Sequence, residues 1–259
     1  MSRGKYICIM GPDTIPDKDW VENAVHFLES RPDVGAIQCK IFVHGSDHVL
    51  DAVGDYLGSF GFLVHRAIPG KSLDYGQFEE PVSIFGVKSA AMFVRKDVFS
   101  RIEGFDEEFF IFVEETDLCW RILLNGQRIM YLPTSIVYHK MSQVFKKNPE
   151  RSLYFSRYYG CRNYITMLIK NLSAVELVTV LPLHLSVWMF IAFLLWSQGK
   201  VRESKWVLSG LLWNLVNLRS LLRRRSASRS LSGKSPIPEE VRKHDVLGYY
   251  KQFLGWWTS

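Results

Sequence analysis

The chain has 259 residues, of which 47% are hydrophobic and 14% aromatic, so it is long enough for a sizeable core and too apolar to be disordered. Its net charge is +6, but the excess is local. Between Glu203 and Glu239 there is no acid, while Arg219, Arg223, Arg224, Arg225, Arg229 and Lys234 all lie there; the rest is close to neutral, which argues against a nucleic-acid-binding face as the main role.

In chain order, KYICIM (5–10) reads as a short buried strand ending in the turn GPDT. DKDWVENAVHFLESRP (17–32) is amphipathic, opens with acids and stops at Arg31-Pro32, so it is a helix. GAIQCKIFV (35–43) is another strand, and residues 44–80 are Gly-rich and irregular, long enough for a functional loop. SAAMFVRKDVFSRI (89–102) reads as strand then short helix, EETDLCWRILLNG as a helix closed by Gly126, and RIMYLP and SIVYHK (128–140) as two short strands. Alternation of strand and helix patterns predicts an α/β sheet over residues 1–149. Residues 150–172 read as an amphipathic helix, leading into membrane-associated helices to about residue 225. Residues 226–259 form a basic, polar tail with a short terminal helix.

The four cysteines (8, 39, 119 and 161) are scattered, with no metal-finger spacing, and are expected to be buried free thiols in a reducing compartment. The N-terminus has no signal peptide pattern. Ala174 to Trp196 contains no Lys or Arg and only Glu176 as an acid, and about 20 apolar residues suffice to span a bilayer. Pro182 and His184 fall near its middle. WVLSGLLWNLVNLRSLL (206–222) has the helical spacing of an interfacial amphipathic helix. Lys170, Lys200, Arg202 and Lys205 flank the first segment, and the positive-inside rule puts both flanks in the cytoplasm. The two segments are therefore expected to form a re-entrant or hairpin-like pair on the cytoplasmic face of the membrane, with the arginine run lying on anionic headgroups.

The chemistry-bearing residues are few. Asp13 follows a strand, where ligands bind in open α/β sheets, although an Asx-turn is an equal reading. His139 closes another strand; an Asp and a His on one sheet edge suit a divalent cation facing a diphosphate. FVEETDLCWR (112–121) places Glu114, Glu115 and Asp117 beside a hydrophobic wall. Acids on a helix's first turn complement its dipole, and one held against apolar residues can serve as a general base. Asp117 is suited to pair with Arg121 one turn on, leaving Glu115 for substrate.

The ordered set GPDT, GFDEEFF, EETDLCWR, YLP, VYHK and YYGCRNYITMLIKN resembles the family-2 glycosyltransferases, in particular bacterial rhamnosyltransferase-like members with the GT-A fold, over nearly all of residues 1–225. The resemblance implies a partial GT-A (Rossmann-like) mixed sheet. It also implies inverting transfer of a sugar, with rhamnose the candidate, from a nucleotide-sugar donor to the hydroxyl of a glycan or lipid-linked acceptor in cell-wall polysaccharide synthesis. By position it makes Glu115 the base with Glu114 and Asp117 beside it, Asp13 and His139 ligands of Mg²⁺ or Mn²⁺, and Asp106, Trp120 and Arg121 substrate contacts. Three departures stand out: Glu-Glu replaces the usual Glu-Asp, Gly11 replaces the first acid of the DxD-type triplet, and the units that grip the nucleotide base are expected before Lys5. An inactive, membrane-associated interaction module is the competing expectation.

Overall fold

The computed structural model describes residues 3–141, 148–232 and 236–243. Residues 34–42 are all buried because strand β3 (Val34–Val43) runs through the centre of a sheet covered on both faces. The sheet order is β1 (Tyr6–Met10), β8 (Ala91–Arg95), β3, β9 (Arg128–His139), β2 (Thr14–Pro16). β4 (Leu50–Ala52) also pairs with β3, and β7 (Val82–Ser83) with β9. β3 and β9 run parallel and the other pairs antiparallel, so the sheet is mixed.

Side chains alternate between the two faces with period two. Ile37, Cys39 and Ile41 meet Trp20, Ala24 and Leu28 of helix α1 (Trp20–Ser30). Ala36 and Phe42 lie with Leu118, Trp120 and Ile122 of helix α3 (Glu114–Leu124), which follows the short α2 (Lys96–Arg101). RIMYLP and SIVYHK prove to be one strand, β9, with a register shift opposite Cys39 and Lys40 that absorbs Pro133 and its neighbours. The expected irregular loop at 44–80 holds β4, β5 (Asp55–Gly58) and β6 (Leu63–His65), the last two forming a hairpin. β1 is not buried as expected: it has β8 on one side and no strand on the other among the described residues. Met10 is accordingly 46% exposed, and Cys8 is an exposed thiol while the other three cysteines are buried.

The helical half is continuous with this core. Helix α4 (Pro149–Tyr154) passes through one π turn (Phe155–Tyr159) into α5 (Gly160–Asn171), whose Met167 and Leu168 join the core of the α/β half. The apolar segment divides into α6 (Ala174–Thr179), opened by a Ser173–Glu176 capping box, and α7 (Leu181–Ser197). Pro182 lies in the first turn of α7, where its missing N–H is no loss. Gly199, at φ +77°, turns the chain into α8 (Val201–Val216), and Ser204 Oγ donates to Ala192 O at 2.8 Å, closing a helical hairpin. Residues 174–197 are long and apolar enough, by length and composition, to cross a membrane. Val175 and Val178 on α6, and Phe193, Trp196, Leu212 and Leu215 on the hairpin, are exposed.

The final helix, α9 (Leu218–Ser232), corrects the expected arginine tail. It runs through the 225/226 boundary and packs back on α5 and α3. Arg225 donates to Ile169 O at 2.7 Å, Arg229 to Leu172 O at 3.0 Å, and Arg224 meets Asp106 at 2.8 Å. These three guanidiniums hold the domain together, which leaves Arg219 and Arg223 exposed. Lys170, expected as a basic flank, is 2% exposed and belongs to the interior. Strand β10 (Arg242–Lys243) adds to β5 in parallel; the proposed terminal helix lies outside the described residues.

Candidate active site

The turn after β1 is tied at both ends. Gly11 N donates to Ala90 O at 3.0 Å, Thr14 Oγ1 to Gly11 O at 2.6 Å, and Lys140 N to Asp13 O at 2.9 Å. β2 then pairs Thr14 with His139, which brings Asp13 Oδ1 to 3.3 Å from His139 Nε2. The two residues proposed as metal ligands therefore meet, on strands joined by a ladder.

Behind them lies a residue that no motif announced. Asp51, on β4 and fully buried, holds His139 Nδ1 at 2.8 Å and both its oxygens accept from Lys88 Nζ at 2.7 Å. Burial works to raise the Asp51 carboxyl, but His139 and Lys88 outweigh it and leave it below the usual carboxylate range. A carboxylate on one ring nitrogen fixes a histidine's tautomer and turns the other nitrogen outward, the usual support of a metal-ligating imidazole. His139 Nε2 and Asp13 thus fit a divalent cation as a two-donor set. No group of three or more such side chains converges among the described residues, so the remaining ligands of a bound ion would come from substrate and water.

The acid pair sits at the start of α3. Val113, the residue before the helix, is left-handed at φ 70° and supplies no side-chain cap. Phe110 and Phe112 also have positive φ, 49° and 66°. None of the three is Gly or Asn, and such conformations cost on the order of 1–3 kcal/mol each unless the surroundings impose them. The turn delivers Glu115 into the interior, where burial first and the neighbouring Glu114 second push its carboxyl up to about 8. Burial also raises Glu114, and one oxygen of each carboxyl is buried without a partner. Asp55 and Lys88 act on Glu115 electrostatically, which ties the acid pair to the Asp51–His139 cluster. Asp55 itself pairs with His65 at 2.7 Å across the β5–β6 hairpin. Burial lowers His65, but Asp55 prevails and raises it.

The remaining candidates lie elsewhere. Asp117 is fully buried, and its two oxygens accept from Arg121 Nε at 2.9 Å, Lys170 Nζ at 3.0 Å and Asn171 Nδ2 at 2.8 Å. The expected pairing with Arg121 is present, but a carboxylate so occupied is not free to take a substrate proton, which corrects its place among the catalytic acids. Trp120 and Arg121 are 1% and 4% exposed, Trp120 edge-on to Phe85 and Arg121 donating to Ile102 O at 2.6 Å. Trp120 offers no surface to substrate, because α3 lies between the sheet and α5; Arg121, held by Asp117 and Ile102 O, reaches only the wall of a cavity it shares with Asp106. Asp106 caps the turn Glu107–Phe109 and pairs with Lys170 and Arg224, at the wall of a cavity of about 420 Å³.

The chain is 30% identical over 139 residues to the pre-mycofactocin glycosyltransferase of Mycobacterium tuberculosis, covering 52% of this chain and 26% of that one. It is 27% identical over 141 residues to the rhamnosyltransferase WbbL of Escherichia coli, covering 52% of each. It therefore spans between about a quarter and a half of these two curated relatives. A solved mannosyltransferase of Pyrobaculum calidifontis, in complex with GDP-Man and Mn²⁺, aligns with 89% of this chain and 62% of its own at 13% identity and a TM-score of 0.40, a likeness on which nothing below depends. The model of the glycosyl transferase family group 2 matches residues 6–222, most of the chain, and to that family the chain belongs.

Proposed function

We propose that the chain is an inverting glycosyltransferase that moves a sugar from a nucleotide-sugar donor to the hydroxyl of a glycan or lipid-linked acceptor, with rhamnose as the candidate sugar. The observation that carries this is Glu115: a half-buried side chain with one carboxyl oxygen enclosed and its carboxyl raised well above the usual range, in the field of Lys88 and Asp55 and so tied to the Asp13–His139–Asp51 cluster. Glu115 takes the acceptor proton, the acceptor oxygen bonds to the anomeric carbon, and the sugar–phosphate bond breaks with its electron pair leaving on the nucleoside diphosphate. His139 Nε2 and Asp13 would hold Mg²⁺ or Mn²⁺, which neutralises charge on a diphosphate leaving group. Lys88, its ammonium fixed by Asp51, adds a fixed positive charge beside that cluster.

The test is release of nucleoside diphosphate from a panel of nucleotide sugars, with and without acceptor, by the full protein in Mg²⁺ or Mn²⁺. Asp13→Ala and His139→Ala are expected to weaken metal dependence and donor affinity, and Asp51→Asn to weaken metal affinity by about 10- to 100-fold as an orienting residue. Activity untouched by EDTA rules out this role for all three.

The same reading places the enzyme on the cytoplasmic face of the cell membrane. Its support is the outer face of the α7–α8 hairpin, where Phe193 and Trp196 are 56% and 60% exposed. Flotation with anionic liposomes is the check: binding is expected, and Phe193→Ser with Trp196→Ser should abolish it. Equal flotation of the double variant would mean that this face is not the contact.

A further inference from the structure

The stretch Phe110-Ile-Phe-Val113 has no residue suited to a left-handed backbone, yet three of its four residues adopt one. Something outside the stretch must hold it. Asn163, on α5 and 1% exposed, directs its Nδ2 at three carbonyls of this turn: Phe109 O at 2.7 Å, Ile111 O at 2.7 Å and Phe112 O at 2.9 Å. Its neighbour Arg162 donates to Glu108 O at 3.1 Å, one residue further back. Along α5, Lys170 and Asn171 then hold Asp117 on the next turn of α3. One face of α5 therefore grips the chain on both sides of Glu114 and Glu115, at a helix start that lacks a side-chain cap of its own.

We propose that Asn163 is a positioning residue for Glu115: its amide ties the carbonyls of the left-handed turn and so fixes where the carboxyl of Glu115 is delivered. The importance of Glu115 to the reaction rests on the transfer reading above; its placement by Asn163 does not. An amide suits the task because its two hydrogens lie in one plane and can be shared among the carbonyl oxygens of Phe109, Ile111 and Phe112 that converge on it. An aspartate of the same size has no hydrogen to give while ionised. Released from Asn163, the turn can relax towards ordinary backbone angles and admit water to the acid pair. The groups that face Glu115 electrostatically are Glu114 beside it, Asp55 on β5, Lys88 before β8, Cys119 on its own helix and Tyr164 on α5, none of which is replaced in the test.

The experiment follows the Glu115 carboxyl itself, by isotope-edited infrared titration of the ¹³C-glutamate-labelled full chain, with the band assigned by its loss in Glu115→Gln. Asn163→Ala is expected to lower the midpoint of that band by about one pH unit or more. Asn163→Ser, which keeps one donor and is the gentler on folding, should fall between that and the parent. In transfer assays kcat should drop by roughly 10- to 100-fold, the scale of a misplacement of about 1 Å, with donor KM within about threefold. A folded Asn163→Ala or Asn163→Ser protein with the native Glu115 midpoint overturns the proposal. A shifted midpoint with Glu115→Gln still fully active leaves the positioning intact and sinks the transfer role of Glu115 instead.

Discussion

Replacing Glu115 by glutamine is expected to lower sugar transfer by about 100-fold or more while the protein stays folded. Glutamine keeps the shape of the side chain and most of its packing, but its amide cannot accept the acceptor's proton. Glu114→Gln should cost less, because Glu114 acts on the reaction by raising its neighbour. The same substitution has a second readout that needs no substrate. The folded state holds the Glu115 carboxyl up to about 8, above the value of an exposed glutamate, so folding favours its protonated form. That contribution to stability is fully present below the ordinary carboxylate range and is lost as pH rises through about 8. Thermal unfolding followed from pH 5 to pH 9 should therefore show the parent weakening towards the alkaline end more than Glu115→Gln does. Transfer activity of the parent should rise across the same interval as the base ionises. A folded Glu115→Gln protein that transfers sugar at the parent rate removes Glu115 from the role of base.

Strand and helix were legible wherever a short-range pattern decided them. Helix α1 shows its amphipathic spacing and its Arg31-Pro32 stop, though it begins three residues later and ends two earlier than 17–32; β3 shows its mostly apolar run, broken by Gln38 and Lys40, and α3 its acidic first turn and closing Gly126. Pairings between distant segments were less so. Asp51 and Lys88 lie in stretches without a motif, and they reach His139 only because β4 pairs with β3 and β3 with β9. Asn163 was legible as part of a helix but not as the clasp of a turn some fifty residues earlier in the chain. The arginine run misled for the opposite reason. Its composition matches a headgroup-binding tail, and only the fold shows Arg224, Arg225 and Arg229 spent on Asp106 and on the carbonyls that end α5. The same holds for Lys170, which looks like a membrane flank in sequence and is a buried counter-ion in the structure. Long cationic side chains can reach either solvent or a buried partner, and local sequence does not distinguish the two.

The largest effect on stability should come from Asp117, the acid that the structure takes out of the catalytic group. In Asp117→Ala, Arg121 at 4% exposed and Lys170 at 2% exposed lose a shared carboxylate, and the buried amide of Asn171 loses an acceptor. Lys170 retains Asp106 at 2.6 Å, and Arg121 retains the carbonyl of Ile102, so the network is broken and not emptied. Removing one partner of a buried pair costs about 3–5 kcal/mol, because the remaining charge is neither hydrated nor compensated. Urea unfolding monitored by tryptophan fluorescence should show that loss as a lower midpoint. Asp117→Asn should fall between, since it keeps hydrogen-bonding atoms and gives up the charge. A purely apolar exchange of the unit, Asp117→Leu with Arg121→Met and Lys170→Met, should recover most of the loss, because no buried charge is then left without a partner: Asp106 still meets Arg224. If Asp117→Ala unfolds within about 1 kcal/mol of the parent, water reaches this cluster in solution, and Asp117 returns to the list of acids that substrate could contact.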